Sequence, residues 1–384
     1  MLEAPVLKPM LADKLMAVPT TPAFIYHADE LRRTASRIRD VASISGSKLL
    51  YSVKANNLPG VLGTLRPFVD GFGVSSLSEA RAVKEALGDS GTIHLYSVAI
   101  PLADADELAN LCDYVTVNSL GQLRRWEPKF RGRAHVGLRV NPGRSFLDDR
   151  RYDPCRPHSK LGVPLDDLAD SANEIFPLIE GLHVHSNCDS TDFQHLLDTV
   201  DVLESRLGPI LDQIEWINLG GGYLFEDGMD FASLHEAVKI LQQKFGLEVI
   251  IEPGATFVRE SGYIIASVLD LFDSDGKTIA VLDTTVNHMP EVFEYQFKPD
   301  VVGDSETGRS EYILAGLSCL AGDVFGEYRF DEPLDIGSHI VFKNAGAYTV
   351  VKAHTFNGIP LPSLYELQAG GTFVEMPWTQ DVTS

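Results

Sequence analysis

Four short stretches carry residue types that could do chemistry together. Lys54 closes Ser47-Lys48-Leu49-Leu50-Tyr51-Ser52-Val53-Lys54-Ala55-Asn56-Asn57, a β-prone apolar run that gives way to small and polar residues. Such a run reads as a buried strand. A lysine at its C-terminal end lies at the mouth of a parallel sheet, where α/β barrels gather reactive groups. An ammonium in partly dry surroundings loses proton affinity and becomes an amine nucleophile of the imine-forming kind. Taken alone, the stretch fits a solvated surface lysine at least as well.

The other stretches shift that balance. Gly220-Gly221-Gly222 follows the apolar run Ile214 to Leu219. Three glycines there let backbone N–H groups close on an anion such as phosphate, although a plain turn uses the same residues. Glu252-Pro253-Gly254 ends Val249-Ile250-Ile251, so its carboxylate faces the same mouth. Opposite a pyridine nitrogen, that carboxylate keeps the ring protonated and electron-withdrawing; the alternative is a turn or helix cap. His183-Val184-His185-Ser186-Asn187-Cys188-Asp189 ends a further strand, and alternation puts both histidines on one side. A metal would need Cys188 or Asp189 to fold back as third ligand. A stacking imidazole with a hydroxyl donor to phosphate fits better, and no metal is expected.

Two later residues belong to the same inventory. Cys319 sits in Gly316-Leu317-Ser318-Cys319-Leu320-Ala321-Gly322-Asp323, a small-residue loop that admits a ligand or another subunit. A buried structural thiol is its ordinary alternative. Tyr348, preceded by Asn344-Ala345-Gly346-Ala347, either reaches a phosphate or fills a β core. The chain has no GxSxG, GxGxxG or GxxxxGK[ST], which disfavours a serine-hydrolase elbow, a dinucleotide fold and a P-loop.

These residues need a scaffold that brings strand ends together. After a first strand at Thr20 to Tyr26 and a helical pattern from Asp29, strand and helix patterns alternate. Strand patterns fall at the lysine stretch, Gly71 to Val74, Ile93 to Val98, Tyr114 to Val117, Ala134 to Val140, Ile179 to His185, Ile214 to Leu219 and Glu248 to Glu252. That is the count a (β/α)8 TIM barrel requires, within the α/β class. Beyond about Ser261 the texture changes. Ile264 to Phe272, Thr278 to Asp283, Glu311 to Ala315, His339 to Phe342 and Tyr348 to His354 read as strands joined by Gly, Asp and Pro turns. The expectation is a barrel over 25–260 and a second, mostly antiparallel β domain from 1–24 and 261–384.

Composition sets the outer bounds. With 384 residues, 44% hydrophobic and 22% charged, the chain has ample core for both parts. A formal net charge of -22 argues against nucleic acid and anionic membranes as partners. The four cysteines are scattered without zinc spacing, which fits a reduced, cytoplasmic chain. No basic start leads into an apolar core, and no window approaches the ~18 apolar residues of a spanning helix.

The order of lysine strand, HxHS, GGG, EPG, and then a β domain with a cysteine loop and a tyrosine resembles pyridoxal-phosphate enzymes of the alanine-racemase and ornithine-decarboxylase fold type. Within that group, four longer phrases resemble the carboxynorspermidine/carboxyspermidine decarboxylase family. They are Arg151-Tyr152-Asp153-Pro154-Cys155 with Ser159-Lys160-Leu161-Gly162, Asn287-His288-Met289-Pro290-Glu291-Val292-Phe293-Glu294, Ser318-Cys319-Leu320-Ala321-Gly322-Asp323-Val324 and Thr355-Phe356-Asn357-Gly358. The resemblance covers nearly the whole chain and implies pyridoxal 5'-phosphate as cofactor. It implies that Lys54 holds the cofactor as an imine, His183 stacks on the pyridine face and Glu252 pairs with the ring nitrogen. Arg139 would support the other edge, and Ser186, Gly221, Gly222 and Tyr348 the phosphate. Cys319 would protonate the carbanion left when CO2 departs, while Asp189, Glu294 and Asp323 would face the substrate's distal amines. It further implies a homodimer in which the cysteine loop enters the other copy's barrel.

Three positions depart from the family pattern: Asp189 where glutamate is expected, Ala255 where an acid is expected, and Tyr223 where histidine is expected. Each buried ammonium of a polyamine tail needs a carboxylate, so these changes bear on the substrate more than on the reaction. A decarboxylase acting on a different basic amino acid or natural-product intermediate is the alternative. Less favoured readings are a racemase, a non-catalytic cofactor carrier, and a metal-dependent hydrolase using His183, His185 and Glu252.

Overall fold

The computed structural model describes residues 9–88 and 90–378. The chain divides into two compact units, one joining the chain up to Arg32 to the chain from Val258 onward, the other Arg33–Phe257.

In the first unit, strand β1 (Ala23–His27) opens a mixed sheet. The second unit contains β2 (Lys48–Ser52), β3 (Gly71–Val74), β4 (Thr92–Tyr96), β5 (Tyr114–Val117), β6 (His135–Asn141), the two-residue β7 (Val163–Pro164), β8 (Gly181–Val184), β9 (Trp216–Asn218) and β10 (Glu248–Ile251). Leaving β7 aside, the eight strands pair in parallel in chain order. Ile250 against Lys48 joins last to first, so the cylinder is closed and has no free edge.

Local chemistry sets the helix boundaries between strands. Ser76 caps the helix Leu77–Leu87 by accepting the Glu79 N–H, and Glu79 Oε2 accepts the Ser75 N–H at 2.7 Å. Ser119 caps Leu120–Phe130 in the same way. Gly246, at φ +70°, ends Ala232–Phe245 in the left-handed conformation that glycine adopts without cost.

The N-terminal end of the cylinder is filled. Trp216 packs with Leu50 and Ile250, and Tyr114 meets its ring edge-on at 5.3 Å. The indole leaves no room beside two neighbouring strands. A Cβ on Gly181 would lie 2.1 Å from Trp216 Cδ2, and one on Gly137 2.4 Å from its Cη2. The barrel interior is therefore packed core, and only the C-terminal end is open to do chemistry.

The first unit continues with β11 (Gly262–Ser274), β12 (Lys277–Leu282), β13 (Ser310–Ala315), β14 (Val324–Phe330), β15 (His339–Phe342), β16 (Ser363–Leu367) and β17 (Phe373–Met376). Most pairs are antiparallel; β1–β16 and β12–β13 are parallel. Ile25, Tyr263, Ile265, Val341, Tyr365 and Leu367 form its core. One expected strand is absent. Tyr348 takes φ +64° and leads into the short helix Thr349–Lys352, so Tyr348 to His354 is a turn and a helix. The run Ala345, Gly346, Ala347 fills a tight approach instead, since a Cβ on Gly346 would meet Val258 O at 1.7 Å.

Candidate active site

Lys54 lies one 3-10 turn beyond β2, in Val53–Ala55, so it clears the barrel wall and not merely the strand end. Its side chain presents accessible surface, yet surrounding protein partly desolvates its amine. That combination describes a group lining a cavity. Burial lowers its pKa, the Arg139 guanidinium lowers it further, and Glu252 opposes both. The amine is thereby easier to deprotonate than that of an ordinary lysine.

Glu252, just past β10, is gripped from two sides. His183 Nε2–H donates to its Oε1 at 3.0 Å and Asn218 Nδ2–H to its Oε2 at 2.9 Å. Burial alone would raise its pKa, but His183, Lys54 and Asn218 together hold the carboxyl well below its usual range. Each oxygen keeps a second lone pair for a ligand donor. Gly73 stands opposite, where a Cβ would lie 3.2 Å from Oε2.

His183 is 1% exposed and burial lowers its pKa. Tyr96, at the end of β4, stacks on it with centroids 5.0 Å apart. Arg139 Cζ sits 4.5 Å from the centroid of the same tyrosine ring. The Tyr96 hydroxyl donates to Asn118 Oδ1 at 2.9 Å, and Asn118 in turn holds Lys160 O and the Gly162 N–H. The Ser159-Lys160-Leu161-Gly162 phrase is thereby tied to the rings.

The glycine turn is built by exclusion. A Cβ on Gly221 would lie 2.5 Å from Glu252 O, and one on Gly222, at φ +86°, 2.1 Å from Asn187 O. The Gly221 N–H donates to His185 Nδ1 at 3.1 Å. Gly222 and Gly254 have N–H groups with no partner among the described residues. Ser186 is buried nearby in sequence and shares a hydrogen bond with Thr199 Oγ1. Tyr223, where histidine was expected, stacks on Phe193 and keeps a buried hydroxyl; burial raises its pKa. Asp189 is exposed, at φ +48°.

In the β unit the expected residues are placed as follows. Cys319 is exposed, its N–H donating to Asn357 Oδ1 at 3.0 Å. Asp323 is only 2% exposed, and its oxygens accept from the Thr285 hydroxyl and from the Val286 and Ser318 N–H groups. The sequence suggested a carboxylate facing substrate amines, but this one is taken up in shaping the cysteine loop. Glu294 pairs with Lys352 Nζ at 2.7 Å, alongside Glu291 and the Tyr295 hydroxyl. Tyr348 is half-buried at its strained turn.

Sequence reasoning missed Tyr96, Asn118 and Asn218. Asn218 had a visible signal, a polar residue inside Trp216-Ile217-Asn218-Leu219; the two others show only as polar residues at strand ends.

Four donors and acceptors stand ready for a ring and a phosphate without any ligand being invoked. They are the free Gly222 and Gly254 amides, the unsatisfied buried His183 Nδ1 and the unsatisfied Arg139 Nε. The family model described as "Pyridoxal-dependent decarboxylase, pyridoxal binding domain" matches residues 28–259, so the class is that of the pyridoxal-phosphate decarboxylases. The residues present fit that cofactor.

The chain belongs to the carboxynorspermidine/carboxyspermidine decarboxylase family. It is 34% identical to the carboxynorspermidine/carboxyspermidine decarboxylase of Campylobacter jejuni, over 90% of this chain and 92% of that one. It is also 33% identical to the carboxyaminopropylagmatine decarboxylase of a Synechocystis species, over 94% and 93%. A crystal structure of Campylobacter jejuni carboxynorspermidine decarboxylase complexed with norspermidine superposes with TM-score 0.84 at 32% identity, covering 94% of this chain and 97% of that one.

Proposed function

We propose that this enzyme removes the α-carboxylate of carboxynorspermidine or carboxyspermidine, releasing CO2 and a polyamine. The single observation that carries the site assignment is the desolvated Lys54 amine beside the Glu252–His183–Asn218 cluster. When bound, pyridoxal phosphate supplies an electron sink for the pair left behind by CO2. Lys54 would hold it through its aldehyde, Glu252 would keep the ring nitrogen protonated, and His183, backed by Tyr96, would lie against the ring face. Arg139 would fix the ring's other edge. Ser186, Gly222 and Tyr348 would hold the phosphate; Gly221, whose N–H already serves His185, would shape the turn.

Cys319 would deliver the proton to Cα, and its exposure supports that role. Leu317, Val324 and Phe293 are large apolar residues exposed on the same loop and its flank. They support a homodimer in which this loop reaches the other copy's barrel mouth. Glu294 and Asp189, both solvent-accessible, are the carboxylates we assign to the substrate's distal ammonium groups. The four free thiols support a reducing, cytoplasmic setting. Among the described residues no helix is long and apolar enough to cross a membrane.

A second reading follows from the Synechocystis relative: decarboxylation of carboxyaminopropylagmatine. CO2 release measured across diaminopimelate, ornithine, carboxynorspermidine, carboxyspermidine and carboxyaminopropylagmatine separates the readings. The highest kcat/KM should fall on a carboxylated triamine. Preference for diaminopimelate or ornithine would sink the proposal.

A further inference from the structure

Lys352 is the last residue of the short helix Thr349–Lys352, one turn beyond Tyr348. Its ammonium carries three protons and meets three acceptors. Nζ lies 2.7 Å from Glu294 Oε2, 3.2 Å from Glu291 Oε1 and 3.3 Å from the Tyr295 hydroxyl. It also stands 5.0 Å from the centroid of the Tyr295 ring. All three partners come from one helix, Pro290–Tyr295. Burial lowers the lysine's pKa, but Glu294, Glu291 and Tyr295 outweigh it and raise the value, so the group stays charged. The cluster is nonetheless open to solvent: Glu294 is exposed, and Glu291 and Lys352 are half-buried.

Glu294 is a carboxylate assigned above to the substrate's tail, and a cation of the protein already sits on it. Glu291 and Glu294 are three positions apart on their helix and so lie side by side, roughly 5–6 Å between Cβ atoms. Successive nitrogens of an aminopropyl chain have a comparable separation. The pair therefore has room for two neighbouring ammonium groups, and each desolvated ammonium needs a carboxylate. Lys352 uses up one of those two charges. We propose that Lys352 is a specificity-determining residue: it takes the place of one ammonium in a two-cation subsite and so restricts the tail to a single distal ammonium there. The substrate class that follows is a carboxylated triamine, with the tetraamine one aminopropyl unit longer disfavoured. The inference rests on the assignment of Glu294 to the tail, and it adds the cation that limits that tail.

Binding to the full-length, cofactor-loaded protein is measured by calorimetry for norspermidine and for the tetraamine one aminopropyl unit longer. Lys352→Met keeps the stem and removes the charge, Lys352→Gln removes the charge but keeps a polar head, and Lys352→Arg keeps the charge. Affinity for the tetraamine relative to norspermidine should rise on the order of tenfold in the first two variants and hold its original ratio in Lys352→Arg. An unchanged ratio in Lys352→Met and Lys352→Gln overturns the proposal. So does an equal shift in Lys352→Arg, because charge is then not the cause. A lysine that only ties the two helices together would weaken both amines alike on removal, which leaves the ratio unmoved and overturns the proposal as well. Glu294→Gln separates this inference from the reading beneath it. If that variant binds norspermidine as tightly as the unaltered protein, the tail assignment falls and takes the proposal with it. If it binds norspermidine more weakly while the Lys352 variants leave the ratio unmoved, the proposal alone falls.

Discussion

Lys54 and Cys319 are the two residues whose loss should be felt in the chemistry itself. Lys54→Ala should abolish the visible absorbance of the loaded enzyme and cut kcat by about a thousandfold or more. Borohydride treatment of the unaltered enzyme should fix the label on Lys54, as peptide mass mapping would show; a label elsewhere ends the assignment. Cys319→Ala should slow amine formation by about 10²–10⁴, the usual value of a positioned proton donor. Unchanged turnover would remove the thiol from the mechanism. At this scale the sequence was informative where a residue type is unusual for its place. A lysine after a buried strand and an acid before Pro-Gly announce themselves. Tyr96 does not, because a tyrosine ending a strand is ordinary until its ring is seen between His183 and Arg139.

At the scale of elements, the site residues of the barrel unit lie at or just beyond the ends of its strands, and the closest fits are glycines. Gly222→Ala must push the turn away from Asn187 O and should weaken cofactor affinity severalfold while leaving the barrel folded. Gly181→Ala tests the other end: its Cβ overlaps the Trp216 ring. Overpacking of that kind costs about 1–3 kcal/mol, readable as a lower urea midpoint with little change in KM. Alternating strand and helix patterns made the barrel legible, since eight apolar runs separated by helical spacing admit few other closed arrangements. The turn at Tyr348 was not legible. An apolar Ala-Gly-Ala-Tyr-Thr-Val-Val run has strand composition, and only the crowding of Gly346 against Val258 O shows why it bends.

The whole molecule should be acid-labile in both of its units. Burial depresses His94 of the barrel to about 3 and His288 of the β unit to about 4, from an unperturbed 6.5. The unfolded chain therefore binds protons that the folded chain refuses. This stability is fully present above pH 6.5 and is lost as pH falls toward 4 and 3. Each such proton steepens the dependence by about 1.4 kcal/mol per pH unit. Urea unfolding between pH 7 and 4.5 should show that slope, and His94→Gln should flatten the part due to the barrel. The proposed dimer is tested by mixing: Lys54→Ala and Cys319→Ala proteins, each inactive alone, should regain part of the activity when subunits exchange. Which patches meet in an assembly leaves no periodic mark in one chain's sequence, so the dimer was suggested there only by resemblance. The plugged floor of the cylinder has a last consequence. With Trp216 wedged across it, there is no back door, so every molecule that arrives must leave by the way it came. A long amine therefore enters head first and trails its tail outward.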